Sequence, residues 1–265
     1  MNKPIICFDL DGTLLDEQKN IHPNDILLLT ASRPEALFIP ATGRPLDSIR
    51  RTFARNRVYA GRKIPLPMVL QNGALLFAGD EVLLASHPFE PPLQKELISL
   101  CTRFKDVTFL FFDANVNYIL WPNPFGVKSV NGFELTTRDL SDCNGGCSIS
   151  KMMCISESGL ALSKIAELVN SLPVESAFSM PTSLEITPEN INKGRGLMEL
   201  LAMLHEQDQP IYAAGDGGND LAMFQLAKRS FAPLQAPENI RAAASQVIDV
   251  SRDGLLGPIL KSVRS

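Results

Sequence analysis

An α/β protein built on a parallel sheet and interrupted by an α+β insert is what this chain predicts, on three observations. Strand-like apolar runs alternate with amphipathic helical stretches at both ends of the sequence. Those runs are almost continuously apolar, as strands covered on both faces are, rather than alternating. Between about residues 74 and 187 the rhythm changes to closely spaced strands and short turns, the mark of antiparallel pairing.

In order, the first strand is PIICFDL from residue 4, followed by a helical stretch from Pro23 to Ser32 and a second strand in ALFIPATGR. A basic helical stretch within 44–63 leads to PMVLQNGA, a third strand. The insert opens with ALLFAGDEVLLAS, read as a hairpin around Gly79. A helix bearing Leu93, Leu97, Leu100 and Phe104 comes next, then strands at VTFLFF and NYILW and a connection through Gly145 and Gly146. KMMCIS, a helix over about 158–171 and SLEIT complete the insert. The parallel rhythm then resumes. Lys193 opens a helix whose Leu197, Leu200, Leu201 and Leu204 keep i, i+3, i+4, i+7 spacing, and IYAAGD, a helix after Asn219, SFAP and QVIDV follow. The expected division is therefore a discontinuous core of 1–73 and 188–265 around an insert of 74–187.

With 265 residues, 45% hydrophobic and 20% charged, the chain has room for one large or two modest domains with a real core. Its apolar runs fall short of the ~18–20 residues that cross a bilayer, so no membrane partner, signal peptide or anchor is expected. The five cysteines, Cys7, Cys101, Cys143, Cys147 and Cys154, are odd in number and scattered, so they read as free thiols and favour the cytoplasm. Cys143 and Cys147 do not suggest zinc, because His22, His87 and His205 lie far off in sequence. A net charge of −4 without a dense Lys/Arg block argues against nucleic acid, and the basic stretch 44–63 reads as a solvated helix face. The sequence does not set the oligomeric state; a monomer is compatible with it.

In open parallel sheets ligands sit beyond the carboxyl ends of the strands. Asp9 and Asp11 end the first strand, Thr42, Gly43 and Arg44 follow the second, and Asp216 with GGND follows IYAAG. Parallel folding would gather three carboxylates, a hydroxyl and the Lys193 ammonium at one edge. Such carboxylates, left alone, would have raised pKa values, so a cation is expected among them, and oxygen-only donors suit Mg²⁺. Each piece alone has a plainer reading: DxDGT as a turn, GDGGND as a glycine loop, a lone lysine as solvated. Together and in this order they do not.

The four segments DLDGT at 9–13, ATGR at 41–44, NKG at 192–194 and GDGGND at 215–220, with Met223 after it, resemble the haloacid dehalogenase superfamily. The insert between the second and third segments is similar to a C2B-type cap, as in Cof-type sugar phosphatases. The resemblance implies a Rossmann-like core with an inserted cap that sets specificity and closes over the sheet edge. It implies a phosphatase with Asp9 as nucleophile and Asp11 as acid/base. Thr42, Gly43, Arg44, Asn72, Lys193 and Asn219 would bind phosphate or substrate. Asp9, the Asp11 carbonyl and Asp216 would hold Mg²⁺, with Asn219 and Asp220 steadying Lys193 and metal-bound waters. The partner implied is a small phosphorylated metabolite. An acid/base aspartate favours an alkoxide over a halide leaving group, since only the former needs a proton.

Asn115, Asn117 and Trp121 are candidate sugar contacts in the insert, and Asn72 with Gly73 sits near an expected hinge. One departure is visible: FAPLQAPENI stands where methionine-glycine-asparagine is expected, which puts backbone support near the site in question over Phe231–Pro237. The rival readings are a phosphohexomutase, and a non-catalytic phosphoaspartate or regulatory protein.

Overall fold

The structure is a computed structural model describing residues 3–32 and 34–264. Two compact units are present, one of Met1–Leu84 with Lys193–Ser265, the other of Ala85–Asn192.

The first unit begins with β1 (Ile5–Phe8), α1 (Pro23–Leu29), β2 (Leu37–Pro40), α2 (Leu46–Arg55), β3 (Met68–Leu70) and β4 (Leu75–Ala78), and β5 (Val82–Ser86) spans its boundary with the second. The second contains α3 (Pro91–Cys101), β6 (Thr108–Phe112), β7 (Asn117–Leu120), α4 (Pro124–Gly132), β8 (Thr137–Asp139), β9 (Lys151–Ile155), α5 (Gly159–Val169), β10 (Val174–Met180) and β11 (Ser183–Pro188). The chain returns to the first unit with α6 (Lys193–Met203), β12 (Ile211–Ala214), α7 (Leu221–Leu226), β13 (Arg229–Pro233), α8 (Glu238–Ala243), β14 (Gln246–Ile248), α9 (Val250–Asp253) and α10 (Leu256–Arg264).

Five strands form a parallel sheet in the order β14-β13-β12-β1-β2. β1 lies between two neighbours and is fully buried, which is why its sequence is apolar at every position. Its last residue, Phe8, is level with Ala214 of β12 and Pro40 of β2. That shared register brings the residues following all three strands to one sheet edge. α6 buries Leu197, Leu200 and Leu201, three of the four leucines expected on its apolar face.

The hairpin at 74–86 does not belong to the insert as expected. β4 pairs antiparallel with β3, Met68 opposite Phe77 and Leu70 opposite Leu75, in a three-stranded sheet with β5. A parallel bridge from Ala41 to Val69 brings β3 beside the end of β2. Leu75 and Leu76 are completely buried, so the compact boundary falls at Leu84 and Lys193 rather than at 73 and 188.

In the second unit the sheet order is β10-β11-β9-β6-β7-β8. All pairs are antiparallel except β7 with β8, where α4 supplies the crossover that parallel pairing needs. This corrects the expectation of antiparallel strands alone. The start signal of α4 is nonetheless in the sequence, with Pro124 in its first turn and the Asn123 side chain accepting the Gly126 N–H. β10 also lacks a strand reading, because its half-polar sequence VESAFSM carries little apolar signal.

The expectation of five free thiols is corrected as well. Cys143 and Cys147 form a disulfide, and only Cys7, Cys101 and Cys154 are free, all buried. Between the pair, left-handed Asn144 and Gly145 reverse the chain and bring the two Cα atoms to 5.4 Å, within bridging range.

Candidate active site

β1 delivers Asp9 to the sheet edge, where its N–H donates to the Ala214 carbonyl of β12 at 3.0 Å. Asp216 follows β12 directly across from it. Gly12, at φ +73°, turns the chain beneath Asp216; a Cβ there would stand 2.3 Å from Asp216 Oδ2, so no other residue fits without displacement. The next residue, Thr13, donates its hydroxyl to Asp216 Oδ1 at 2.8 Å, tying the first and last motifs together across 203 positions.

Lys193, 1% exposed at the start of α6, donates from Nζ to Asp9 Oδ1 at 2.8 Å and to Asp220 Oδ1 at 2.7 Å. The other oxygen of Asp220 accepts the N–H groups of Asp216 and Gly217 at 3.0 and 2.9 Å. Asp220 thus positions the ammonium and the loop together. Burial raises the Asp9 pKa to about 8, against the pull of Lys193 and helped by Asp220, Asp216 and Asp11. Burial and then Asp220 raise Asp216 to about 6, with the Thr13 hydroxyl and Lys193 pulling it down. Burial alone would lower the Lys193 pKa, but Asp220 and Asp9 outweigh it and hold the ammonium charged.

One ammonium therefore serves several converging acids. Asp9, Asp216 and Asp220 each offer an oxygen, all within 4.8 Å of one another. Oxygen-only donors with an unbalanced negative charge fit a hard divalent cation such as Mg²⁺. The Asp11 carboxylate is outside that group. It pairs with Arg44 through two bonds of 2.6 Å and with Lys19 at 2.5 Å. Burial pushes its pKa up, but hydrogen bonding and charge from Arg44, then Lys19, hold it at about 2.

Arg44 was expected among the phosphate-binding residues; its guanidinium is buried, grips Asp11 and donates to Ser48 and Thr52 at 3.1 and 2.7 Å. Thr42 is at the sheet edge, with its N–H on the Val69 carbonyl and its hydroxyl accepting the Arg44 N–H. Gly43 lies between them. Asn72 is buried in a left-handed turn, φ 58°, with its N–H on the Thr42 carbonyl and its side-chain oxygen accepting from Asn219 at 3.2 Å. The second, third and fourth motifs thus converge on the first.

The atypical segment Phe231–Pro237 retains a supporting role through its backbone, since the Phe231 carbonyl accepts the Gly215 N–H at 3.1 Å. Met223 is fully buried. In the insert, Asn117 is buried and donates to the Thr136 carbonyl, whereas Asn115 is exposed and only its backbone N–H is engaged, closing a turn onto Asp113. Trp121 sits at a left-handed position with the Lys105 ammonium 5.7 Å from its ring centre. Lys19, Ser48 and Thr52 are the site residues that sequence reasoning missed. Lys19 lies in a polar loop and the other two on a helix face, with no spacing that marks them.

Fold and site together define a haloacid dehalogenase-like hydrolase: that family's model matches residues 6–256, and the chain belongs to it. A Bacillus subtilis protein named 5-amino-6-(5-phospho-D-ribitylamino)uracil phosphatase is 29% identical, covering 91% of each chain. A hydrolase of Schizosaccharomyces pombe is 27% identical over 98% of this chain and 90% of its own. Among solved structures, TM0651 from Thermotoga maritima superposes with a TM-score of 0.81 at 24% identity, covering 98% of this chain and 97% of that one. The subclass IIB sugar phosphatase BT4131 gives 0.80 at 23%, covering 98% and 99%. Both share the fold. Among the described residues no helix is long and apolar enough to cross a membrane.

Proposed function

We propose that this protein is a Mg²⁺-dependent phosphatase that hydrolyses small phosphorylated metabolites, chiefly sugar phosphates, through an aspartyl-phosphate on Asp9. The observation that carries the reading is the Asp9–Lys193–Asp220 arrangement beside Asp216. One oxygen of the nucleophile is held by an ammonium, while the other accepts no hydrogen bond from any described residue. A carboxylate is a weak nucleophile, so the rate must come from position and from charge placed around the phosphoryl group.

Asp9 attacks phosphorus through that second oxygen, and an O–P bond forms as the bond to the leaving alkoxide breaks. Asp11 supplies the proton the alkoxide needs, then takes one from the water that hydrolyses the acyl phosphate and frees Asp9. Thr42 donates its hydroxyl and Gly43 its N–H to phosphoryl oxygens, and Lys193 adds positive charge. Asp9, Asp216 and the Asp11 carbonyl would hold Mg²⁺, which when bound supplies Lewis-acid neutralisation of the phosphoryl charge. With its pKa held at about 2, Asp11 cannot carry a proton while it rests on Arg44 and Lys19.

The ribityl phosphate in one relative's name and the sugar phosphatase among the fold neighbours support a hydroxyl-rich leaving group. The unit Ala85–Asn192 is assigned substrate selection. Phosphate release from a panel of sugar and alkyl phosphates, with Mg²⁺ and with EDTA, tests the reading. Turnover is expected with Mg²⁺ and is expected to vanish with EDTA or in Asp9→Asn. Activity persisting in that variant would overturn the nucleophile assignment.

A further inference from the structure

Three of the five cysteines are chemically quiet. Cys7, Cys101 and Cys154 are fully buried, and burial raises the pKa of each, that of Cys7 to about 12. The bridge between Cys143 and Cys147 is different. Both of its residues are half-buried, and Asn144, Gly145, Gly146 and Ser148 around them are exposed. A bridge across a sequence separation of 4 closes so short a loop that it removes little freedom from the unfolded chain. The second unit has its own apolar core and does not depend on a staple to fold.

The bridged loop forms one wall of a cavity of about 1000 Å³ whose lining lies wholly within the second unit. Phe89, Gln94, Ile98 and Trp121 are among the residues facing it. The Trp121 indole N–H is buried with no hydrogen-bond partner among the described residues, a donor left over for a molecule that enters. Gln94, near the start of α3, holds Cys147: its Nε2 donates to the Cys147 carbonyl at 3.2 Å and lies 3.9 Å from Cys147 Sγ. A donor beside one sulfur stabilises negative charge on it, so Cys147 is the better leaving thiolate of the pair. The chain beyond the loop is anchored independently. Asp113 accepts the Ser148 N–H at 2.8 Å, and Gln94 Oε1 accepts the Ile149 N–H at 3.0 Å. Opening the bridge therefore loosens the loop and leaves the strands in place.

We propose that Cys143 and Cys147 are a thiol–disulfide exchange site, opened by a small thiol that enters this cavity. The incoming thiolate attacks Cys143 Sγ; a new S–S bond forms as the Cys143–Cys147 bond breaks, and its electron pair leaves on Cys147, which takes up a proton. A second thiol, or the other arm of a dithiol, then displaces Cys143. The protein disulfide is thereby reduced to a pair of thiols and the small molecule is oxidised to its own disulfide. None of this depends on the phosphatase reading.

Dithiothreitol or reduced glutathione at ~1 mM, given to the native full-length protein, tests the proposal. Iodoacetamide followed by peptide mass spectrometry is expected to label Cys143 and Cys147 and to leave Cys7, Cys101 and Cys154 unlabelled. Emission from Trp121, the only tryptophan in the chain, is expected to shift over the same time course and to return with oxidised glutathione. In the single variants Cys143→Ser and Cys147→Ser, the thiol left at 147 should be alkylated at least ~3-fold faster at neutral pH than the one left at 143. A bridge that opens only in denaturant, or labelling of all the cysteines together, would show a structural staple and overturn the proposal. Opening without a shift in Trp121 emission would overturn entry through the cavity, and equal rates in the two variants would overturn Cys147 as the leaving group.

Discussion

Replacing Lys193 by Met tests the electrostatic centre directly. At an effective dielectric of about 20, each of the two contacts at 2.7–2.8 Å is worth roughly 6 kcal/mol of gross attraction. Most of that offsets the desolvation of three charges, and breaking a buried pair by removing one partner costs about 3–5 kcal/mol net. For a chain of this size that is a fall in melting temperature of roughly 6–20 °C. The pH dependence is the sharper signature. Lys193 lowers the Asp9 pKa, so without it the folded-state value rises above about 8, still further from the unfolded value of 3.8. A carboxyl with a raised folded-state pKa favours folding when protonated and loses that advantage as pH climbs toward the folded pKa. Below about pH 8 Asp9 is protonated in both folded proteins, so the gap between wild type and Lys193→Met should stay steady there and widen as pH rises above about 8. Thermal unfolding of both proteins at about pH 6 and about pH 9, without divalent ions, measures it. A variant within about 2 °C of wild type at about pH 9, or a gap that widens in acid, would refute the account.

Other expectations follow from the same geometry. Because Asp9 and Asp216 have raised pKa values of about 8 and 6, protons compete with a divalent ion; Mg²⁺ should raise the melting temperature more at pH 8 than at pH 5.5, and Asp216→Asn should abolish the difference. Gly12→Ala forces a side chain into the left-handed region and onto Asp216, so a loss of about 1–3 kcal/mol in chemical denaturation is expected, with activity lost alongside. Thr13→Val removes a bond that pulls the Asp216 pKa down; the acid limb of the pH–rate profile should move upward, at a stability cost of about 1 kcal/mol.

Much of this was legible before any coordinates. Near-continuous apolar strands with polar residues at their carboxyl ends are enough to place Asp9, Thr42 and Asp216 together, because parallel pairing leaves few alternatives. Lys193 was readable as the opening of an amphipathic helix. Less legible was what depends on partners far apart in the chain. The hairpin at 74–86 has a strand pattern whether it serves the insert or the core, and only pairing with β3 decides.

The sequence by itself determined the chemistry on offer: which carboxylates, hydroxyl and ammonium exist, and that a parallel sheet would present them at one edge. Tertiary structure alone decided how they are matched. Arg44 turned out to hold Asp11, Lys193 was shared between Asp9 and Asp220, and Cys143 closed on Cys147. The reason is one of range. Burial patterns and strand ends follow from neighbours along the chain, whereas an ion pair is chosen by distances of about 3 Å in space that no spacing in sequence encodes.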